Sequence, residues 1–491
     1  MKPKTNQLFI IISIFTLFFA PNLPANGISQ GSVSEDYIWF VSGEGAAVAG
    51  DDKNPGTAEK PLASVQQALT LIRAAYAGER FKTATIRIDG NISYTESKPA
   101  GIALADFSEA PRYLGMIVVQ GQGAYPAVVL RGSSDPRRMD TVDAGGNGRV
   151  LYIEDGNNVA IENLTLRGGR ANTGAGVYVS GSRFTLGRNS FVQDNEGGFG
   201  GGVCIEEEGI LVIHGSVKDN KAENGGGVAL RGKAVIELYG TVSGNYAASS
   251  GGGIFLDGAE GIISGGTIIG NEARGGSGGG VYLQQKEAVL VINRADISGN
   301  KARSGGGIFA VAGAGIRVYS CVMRNNDSRA GGAAALLNAS AVLHDADISS
   351  NTAVNGGGIL IAASFVSMSG CVIQNNSVTS SGGGIFAGIV DEVPAEIIML
   401  DGEIKDNEAE ISGGGIYVMN STFNMTGKSV IRNNTAVNGG GIYATVRDNI
   451  NISENAQIEG NTAKNGSELF IINNTNYPLG ANPADGVYKE D

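Results

Sequence analysis

The sequence predicts an all-β chain, a right-handed parallel β-helix solenoid with about 25–27 residues per rung and three strands per turn, closed at its N-terminal end by a capping helix. Three observations predict it. Asparagine recurs at Asn195, Asn220, Asn245, Asn271, Asn300, Asn326, Asn351, Asn376, Asn407, Asn434 and Asn461. Each of the first ten is followed by a glycine run, as in Asn220-Lys-Ala-Glu-Asn-Gly-Gly-Gly-Val228 and Asn434-Thr-Ala-Val-Asn-Gly-Gly-Gly-Ile442. Three residues before every Asn stands an aliphatic side chain, among them Val192, Val217, Ile268, Met323 and Ile458, and the residue after it is mostly polar. A fixed repeat of this length means stacked supersecondary units, and the apolar–polar alternation is that of half-buried strands.

The elements follow in order. Residues 1–25 carry Lys2 and Lys4, the apolar run Leu8 to Ala20 and the small residues around Ala25, the pattern of a secretory signal peptide. The run is too short to span a bilayer, so the mature chain is expected to be exported without a transmembrane segment. Residues 35–110 form the N-terminal cap and the first irregular rungs. They hold a strand at Asp36–Ser42, the polar turn Gly50 to Thr57, and a helix capped by Ser64 and Gln67 with Val65, Ala68, Leu69, Ile72, Ala75 and Tyr76 on one face. Such a helix covers the open end of a solenoid, where a first rung exposes strand edge and core. The β-helix is predicted over residues 111–475, after strands at Thr85–Ile88 and continuing through Met116–Val119, Val128–Leu130 and Val150–Ile153. The insertions Tyr94 to Arg112 and Arg131 to Gly148 read as loops. Within each regular rung one strand precedes the Asn, a second follows the glycines (Val228–Leu230, Ile254–Leu256, Val281–Leu283), and a third lies between (Ala234–Leu238, Ala288–Ile292). The repeat decays after Asn461, where Gly466-Ser-Glu-Leu469 replaces the glycine run, and residues 476–491 read as a polar tail.

The Asn column reads as a structural ladder. Amides stacked roughly 4.8 Å apart can each donate N–H to the C=O of the next. The glycines supply φ > 0 at a sharp corner, where a Cβ would clash. Of three cysteines, Cys321 and Cys371 share a column two rungs apart, too far for a disulfide, and Cys204 lies in another. They read as small buried residues, and the spacing supports no metal site.

Composition bounds the function. Glycine is 77 of 491 residues, about double ordinary usage. The net charge of −12, with no long Lys/Arg run, argues against a nucleic-acid partner.

The opening Val41-Ser…Gly50-Asp-Asp-Lys-Asn-Pro-Gly-Thr…Lys60-Pro-Leu-Ala-Ser-Val-Gln-Gln-Ala68 resembles that of secreted pectate-lyase-like β-helix proteins. The units Gly299 to Ile308 and Gly460 to Ala463 resemble the polymorphic outer-membrane-protein repeat, which pairs a Phe-x-x-Asn element with a Gly-Gly-Ala-Ile element. Here Val, Ile or Met takes the Phe position, and Gly-Gly-Ala stands at Gly331-Gly332-Ala333. The resemblance covers roughly residues 150–470 and implies an adhesin-like surface protein, usually an autotransporter passenger, at the cell outer membrane or outside the cell. No run of amphipathic strands after residue 475 predicts that family's membrane barrel.

Two functional classes remain. The favoured one is non-catalytic, a surface-associated or secreted adhesin-like protein without a cofactor, with a structural envelope component as a third reading. Its partners would be host or matrix glycans or proteins, or envelope components. Its expected binding face is an outward aromatic column, Phe255, Tyr282, Phe309, Phe386, Tyr417, Tyr443 and Phe470, with Cys204, Ala229, Ala335 and Leu360 in the gaps. The alternative is a polysaccharide lyase or glycoside hydrolase working along the outer face, with Ca²⁺ in the lyase case. Its candidate catalytic residues are Asp194 and Asp219, in one column on adjacent rungs, with Lys218 beside the second. Glu206-Glu207-Glu208, and the shared column of Asp296 and Asp347, are weaker candidates. His214 and His344 stand apart from any Gly-His-Gly element.

Overall fold

A computed structural model describes residues 37–78, 82–93, 115–135, 137–445, 449–472 and 487–490. The signal-peptide segment, the Tyr94–Arg112 insertion and residues 476–486 of the expected tail lie outside the described residues. The rest is a right-handed parallel β-solenoid of about thirteen turns. Three long sheets run along it. Among the described residues, sheet 1 has 15 strands from Tyr37–Ser42 to Asn449–Ile452, and sheet 2 has 14 from Asn91–Ser93 to Gln457–Glu459. Sheet 3 has 15 strands from Gly115–Val119 to Val487–Glu490. Every named strand pair is parallel and joins one rung to the next, as in Val217↔Val242, Val242↔Ile268 and Ile268↔Ile297.

Period-two alternation turns one aliphatic column of each sheet into the interior. Val217, Val242, Ile268 and Ile297 are fully buried, as are Leu230 and Leu283 of sheet 3 and Leu238 and Ile292 of sheet 1. Each such burial contributes about 1.5–3 kcal/mol, so the core is a long thin column stabilised rung by rung. The helix Val65–Gly78 packs on its N-terminal end with Val65, Ala68, Leu69 and Ile72 buried. Its start is fixed as expected: the Gln67 amide donates to Ser64 Oγ at 3.2 Å, and Asp52 accepts from both the amide and the hydroxyl of Ser64 at 2.8 Å. Among the described residues no helix is long and apolar enough to cross a membrane.

Three features differ from the sequence reading. A fourth, short sheet lies between the Asn and the glycines, in a six-strand block from Arg170–Thr173 to Lys301–Ser304 and a five-strand block from Thr352–Asn355 to Thr462–Asn465. Its strands are only two to six residues long and mostly polar, so alternation does not reveal them. The Arg131–Gly148 insertion is not all loop, because Asp140–Asp143 pairs with Leu164–Arg167 in sheet 2, with Val142 its one inward apolar side chain and Asp140 buried on the same face. The expected C-terminal tail contributes Val487–Glu490 as a strand beside Leu469–Ile472.

Each rung turns on residues with left-handed backbone. The position before the ladder Asn has φ of 55° at Asp194 and Asp219, 54° at Asn325, 56° at Ser350 and 53° at Asp406, with glycine there at 244, 270, 299 and 460. Asp and Asn tolerate this conformation better than other L-residues because their short polar side chains bond locally. The first glycine of each run is also left-handed, 61° at Gly305 and 67° at Gly331. The second and third are not. They are glycine because neighbouring rungs approach too closely for a side chain: a Cβ on Gly306 would lie 2.6 Å from Gly332 O, and one on Gly227 2.7 Å from Gly253 O.

Candidate functional site

The Asn column is the most complete polar structure in the molecule. Each amide donates from Nδ2 to Oδ1 of the next rung's Asn at 2.9–3.0 Å, unbroken from Asn195 to Asn461. At Asn300 the second Nδ2 hydrogen goes to Ile268 O at 3.0 Å, and Oδ1 accepts both the amide N–H and Nδ2 of Asn271 at 3.0 Å. Two donors and two acceptor sites are all used. Asn195 Oδ1 takes the Gly169 amide at 2.8 Å at one end, and Asn461 Nδ2 reaches Glu468 Oε2 at 2.6 Å at the other. Glu468 therefore closes the ladder in the rung where the glycine run decays. A fully satisfied buried column leaves no atom for a ligand, so its role is structural.

The catalytic candidates are positioned by the same corner. Asp194 and Asp219 occupy the left-handed position before the ladder Asn. Asp194 accepts a hydrogen bond from its neighbour Gln193 at 2.8 Å, and the Lys218 ammonium sits 5.1 Å from the centre of the Phe191 ring. Glu206 accepts from the Tyr178 hydroxyl at 2.7 Å and pairs with Arg231 at 3.4 Å, while Glu208 pairs with Lys233 at 3.2 Å. Asp296 pairs with Arg324 at 2.9 Å, and Asp347 accepts from Gln374 at 3.2 Å. His214 and His344 each stack on a tyrosine, at 5.0 Å on Tyr239 and 5.6 Å on Tyr319. Among the described residues no three of His, Cys, Asp and Glu converge on one point. The corner assignment has a direct test. Asp219→Asn should leave stability within about 0.5 kcal/mol, since Asn holds the equivalent place at Asn325, Asn375 and Asn433. Asp219→Val should cost roughly 1–2 kcal/mol. Urea unfolding of both variants reads the difference, and equal melting of the two would remove the assignment.

All three thiols are free and buried. Burial pushes Cys321 up to about 12 and raises Cys204 and Cys371 as well, so none is a ready nucleophile. Ala346 fills the rung between Cys321 and Cys371, in line with the sequence reading.

The aromatic column forms two stacks on the outer face of sheet 3. Phe255, Tyr282 and Phe309 stack with ring centres 4.9 and 5.4 Å apart. Phe386, Tyr417, Tyr443 and Phe470 stack at 4.8, 4.9 and 5.2 Å. Tyr282, Phe309, Phe386 and Tyr417 are half-buried, whereas Phe255, Tyr443 and Phe470 are buried and offer little surface. Where the column holds Cys204 and Ala229, Phe199 of the short sheet packs over both and meets Phe255 edge-on at 5.4 Å, with the Arg231 guanidinium 3.6 Å from its ring centre.

The sequence reading missed an extension of this column. Tyr152 and Tyr178 stack at 5.2 Å below Cys204, and the buried Arg149 guanidinium lies 4.9 Å from the Tyr178 ring centre while donating to Thr173 O and Gly174 O at 2.7 and 2.9 Å. Burial lowers the pKa of Arg149, with the nearby Tyr and Glu206 groups acting in the opposite sense. The signal was present: Tyr152 and Tyr178 lie 26 residues apart, one rung, but before the regular Asn column begins.

No curated protein and no solved structure matches the chain. Residues 428–445, which span the strand Val430–Arg432, the ladder Asn434 and the Gly439–Gly441 run, match the Chlamydia polymorphic membrane protein (Chlamydia_PMP) repeat, and in that segment the chain is similar to that family.

Proposed function

We propose that this chain is an exported, non-catalytic, adhesin-like β-helix protein that acts at the cell surface or outside the cell, without a cofactor. Its ligands would be host or matrix glycans or proteins, or envelope components. The observation that carries the reading is the aromatic column, where Tyr282, Phe309, Phe386 and Tyr417 keep part of their rings at the surface of an otherwise close-packed solenoid. Aromatic side chains with one face stacked and an edge accessible make rigid contact area at low entropic cost. The repeat match at residues 428–445 supports a surface role. The corner positions of Asp194 and Asp219 and the pairing of the other carboxylates favour binding over catalysis.

Two measurements test it. Replacement of Tyr282, Phe309 and Phe386 together by serine should abolish attachment to a panel of immobilised matrix proteins and glycans while the protein stays folded by circular dichroism. Attachment at the wild-type level would take the stripe out of the reading. Incubation with acidic and neutral polysaccharides, with and without Ca²⁺, should yield neither unsaturated products nor new reducing ends. Product formation that disappears in Asp194→Ala or Asp219→Ala would replace the adhesin with a lyase or hydrolase.

A further inference from the structure

The outer face of the short sheet carries two rows of side chains. The first is set by the residue after each ladder Asn, the second by the residue two places further on. In the first row charges alternate from rung to rung. Arg170 lies beside Glu196, at 3.9 Å, and Glu196 beside Lys221. Farther along, Glu272, Lys301 and Asp327 are neighbours in the same order of signs. Opposite charges on neighbouring strands stabilise a sheet, and like charges directly opposite one another destabilise it.

The second row breaks that pattern. Arg274, Arg303 and Arg329 stand three residues after Asn271, Asn300 and Asn326, in three successive rungs. Ala273 pairs with Ala302 directly before the first two, and the Arg329 amide donates to Arg303 O at 2.9 Å. The three side chains therefore leave the backbone about 4.8 Å apart, one rung spacing. All three are exposed. Elsewhere in the regular rungs Arg231, Arg324 and Arg432 each pair with a carboxylate. Among the described residues, no carboxylate or ring engages the guanidinium of Arg274, Arg303 or Arg329. Asp327, two residues before Arg329, accepts from the Thr352 hydroxyl at 2.9 Å instead. Ala248 and Val354 hold the flanking places, so no acidic side chain closes either end of the row. In a chain of net charge −12, three like charges thus stand together unpaired.

We propose that the arginine row binds an acidic polysaccharide, through sulfate or carboxylate groups on successive sugar units. The guanidinium fork suits bidentate contact with such oxyanions. A straight row of three charges fits an extended chain better than one small anion. Its spacing of about 4.8 Å is comparable to the length of one sugar unit, whereas alternate side chains of an extended acidic peptide lie about 6.6 Å apart. The negative net charge and the carboxylates of the first row disfavour the denser charge of nucleic acid. The rungs of Arg274 and Arg303 also carry Tyr282 and Phe309 in sheet 3. The inference rests on that aromatic column being the contact face, and adds an anion requirement to its glycan class.

Binding of the purified protein to dextran sulfate, polygalacturonate and neutral dextran tests the row. Dextran sulfate or polygalacturonate should bind with an affinity that falls as salt rises, and whichever binds tighter names the anion. Neutral dextran should show no such dependence. Arg274→Gln, Arg303→Gln and Arg329→Gln together should weaken acidic-polymer binding by about tenfold or more, the sum expected of three exposed ion pairs. The melting temperature should not fall, because no partner is lost. Arg183→Gln, Arg188→Gln and Arg317→Gln together remove the same charge from sheet 1 and the turn after it, and should leave binding near the wild-type value. The row is lost as a site if neither acidic polymer binds, if the two triple variants weaken binding equally, or if the row variant melts lower than wild type. It is lost as well if a poly-aspartate peptide or a single-stranded oligonucleotide binds more tightly than both acidic polymers. The serine variant of the aromatic column separates the two readings. If that variant loses attachment while the row variant binds both acidic polymers as wild type does, only the row fails. If the serine variant attaches at the wild-type level the stripe fails, and the row stands on its own loss of acidic-polymer binding.

Discussion

Asn300→Ala is expected to destabilise the solenoid by about 3–5 kcal/mol, the scale for leaving several buried polar groups unpaired. The side chain is fully buried and takes part in four hydrogen bonds, all at 3.0 Å. Alanine removes the acceptor of two Asn271 donors and the donor to Ile268 O and Asn326 Oδ1. Each orphaned group sits in the interior, where water cannot replace the partner, so the cost is desolvation rather than the modest net value of an exposed bond. The position within the array decides the size. Asn461, at the end of the ladder, is 6 % exposed and donates to Glu468, so Asn461→Ala should cost less than half as much. Stability in a repeat array is a sum of rung and interface terms. A break at Asn300 should therefore let the rungs on either side melt apart, and urea unfolding of Asn300→Ala should broaden or split while that of Asn461→Ala only shifts. Equal effects at the two positions would mean that the ladder contributes nothing beyond local capping. A glycan or protein that binds the wild type should bind Asn300→Ala equally below its unfolding transition.

Much of this was legible because a solenoid repeats its physics. The ladder Asn, the aliphatic residue three places before it and the glycine run after it recur in rung after rung, so position-specific chemistry shows as a column. The cap helix was legible for a different reason, since Ser64 and Gln67 mark its start and the apolar face of Val65, Ala68, Leu69 and Ile72 has helical spacing. What was not legible lies where the constraint is backbone rather than side chain. The short sheet is held by main-chain bonds such as Lys221 N to Asn195 O and Thr352 N to Asn326 O, which impose no side-chain pattern. The strand Asp140–Asp143 has one inward apolar residue, Val142, too few for a hydrophobic period. At the candidate site the aromatic column could be numbered from sequence, but not its exposure. The cover over Cys204 comes from Phe199, whose role follows only when the short sheet is known to fold against sheet 3. The acidic column of Asp194 and Asp219 has two readings in sequence. A shared column of carboxylates resembles a catalytic pair, yet the same column holds Gly244, Gly270, Asn325 and Ser350, a set united by tolerance of positive φ rather than by charge.

The glycine runs give the other large expected effect, and they distinguish two reasons for glycine. Gly305 is left-handed, so Gly305→Ala is strained by its own backbone, and its Cβ would in addition lie 2.2 Å from Ile308 O. Gly306 has no such backbone restriction. Its Cβ would instead lie 2.6 Å from Gly332 O and 2.8 Å from Asp327 O, both main-chain atoms of the next rung that no rotamer can move. Gly306→Ala should cost about 3 kcal/mol, the upper range for forcing a methyl into a packed interior, and Gly306→Val should prevent folding of that rung. The third position is more tolerant, because the protein already carries an alanine there. Ala333 is accommodated with its amide bonded to Gly358 O at 3.0 Å, the same kind of acceptor that glycines in this position use, as Gly280 does with Gly307 O and Gly358 with Gly384 O at 3.0 Å. Ala333→Gly should therefore change stability by under about 1 kcal/mol, far less than Gly306→Ala. The same reasoning accounts for the end of the array: Gly466 keeps the left-handed residue at φ 60°, while Ser467 and Glu468 replace the two glycines of close approach. Thermal melts of Gly306→Ala and Ala333→Gly decide the matter. If both shift the transition by the same small amount, rung spacing is set by the Asn ladder alone and the glycines are only turn residues.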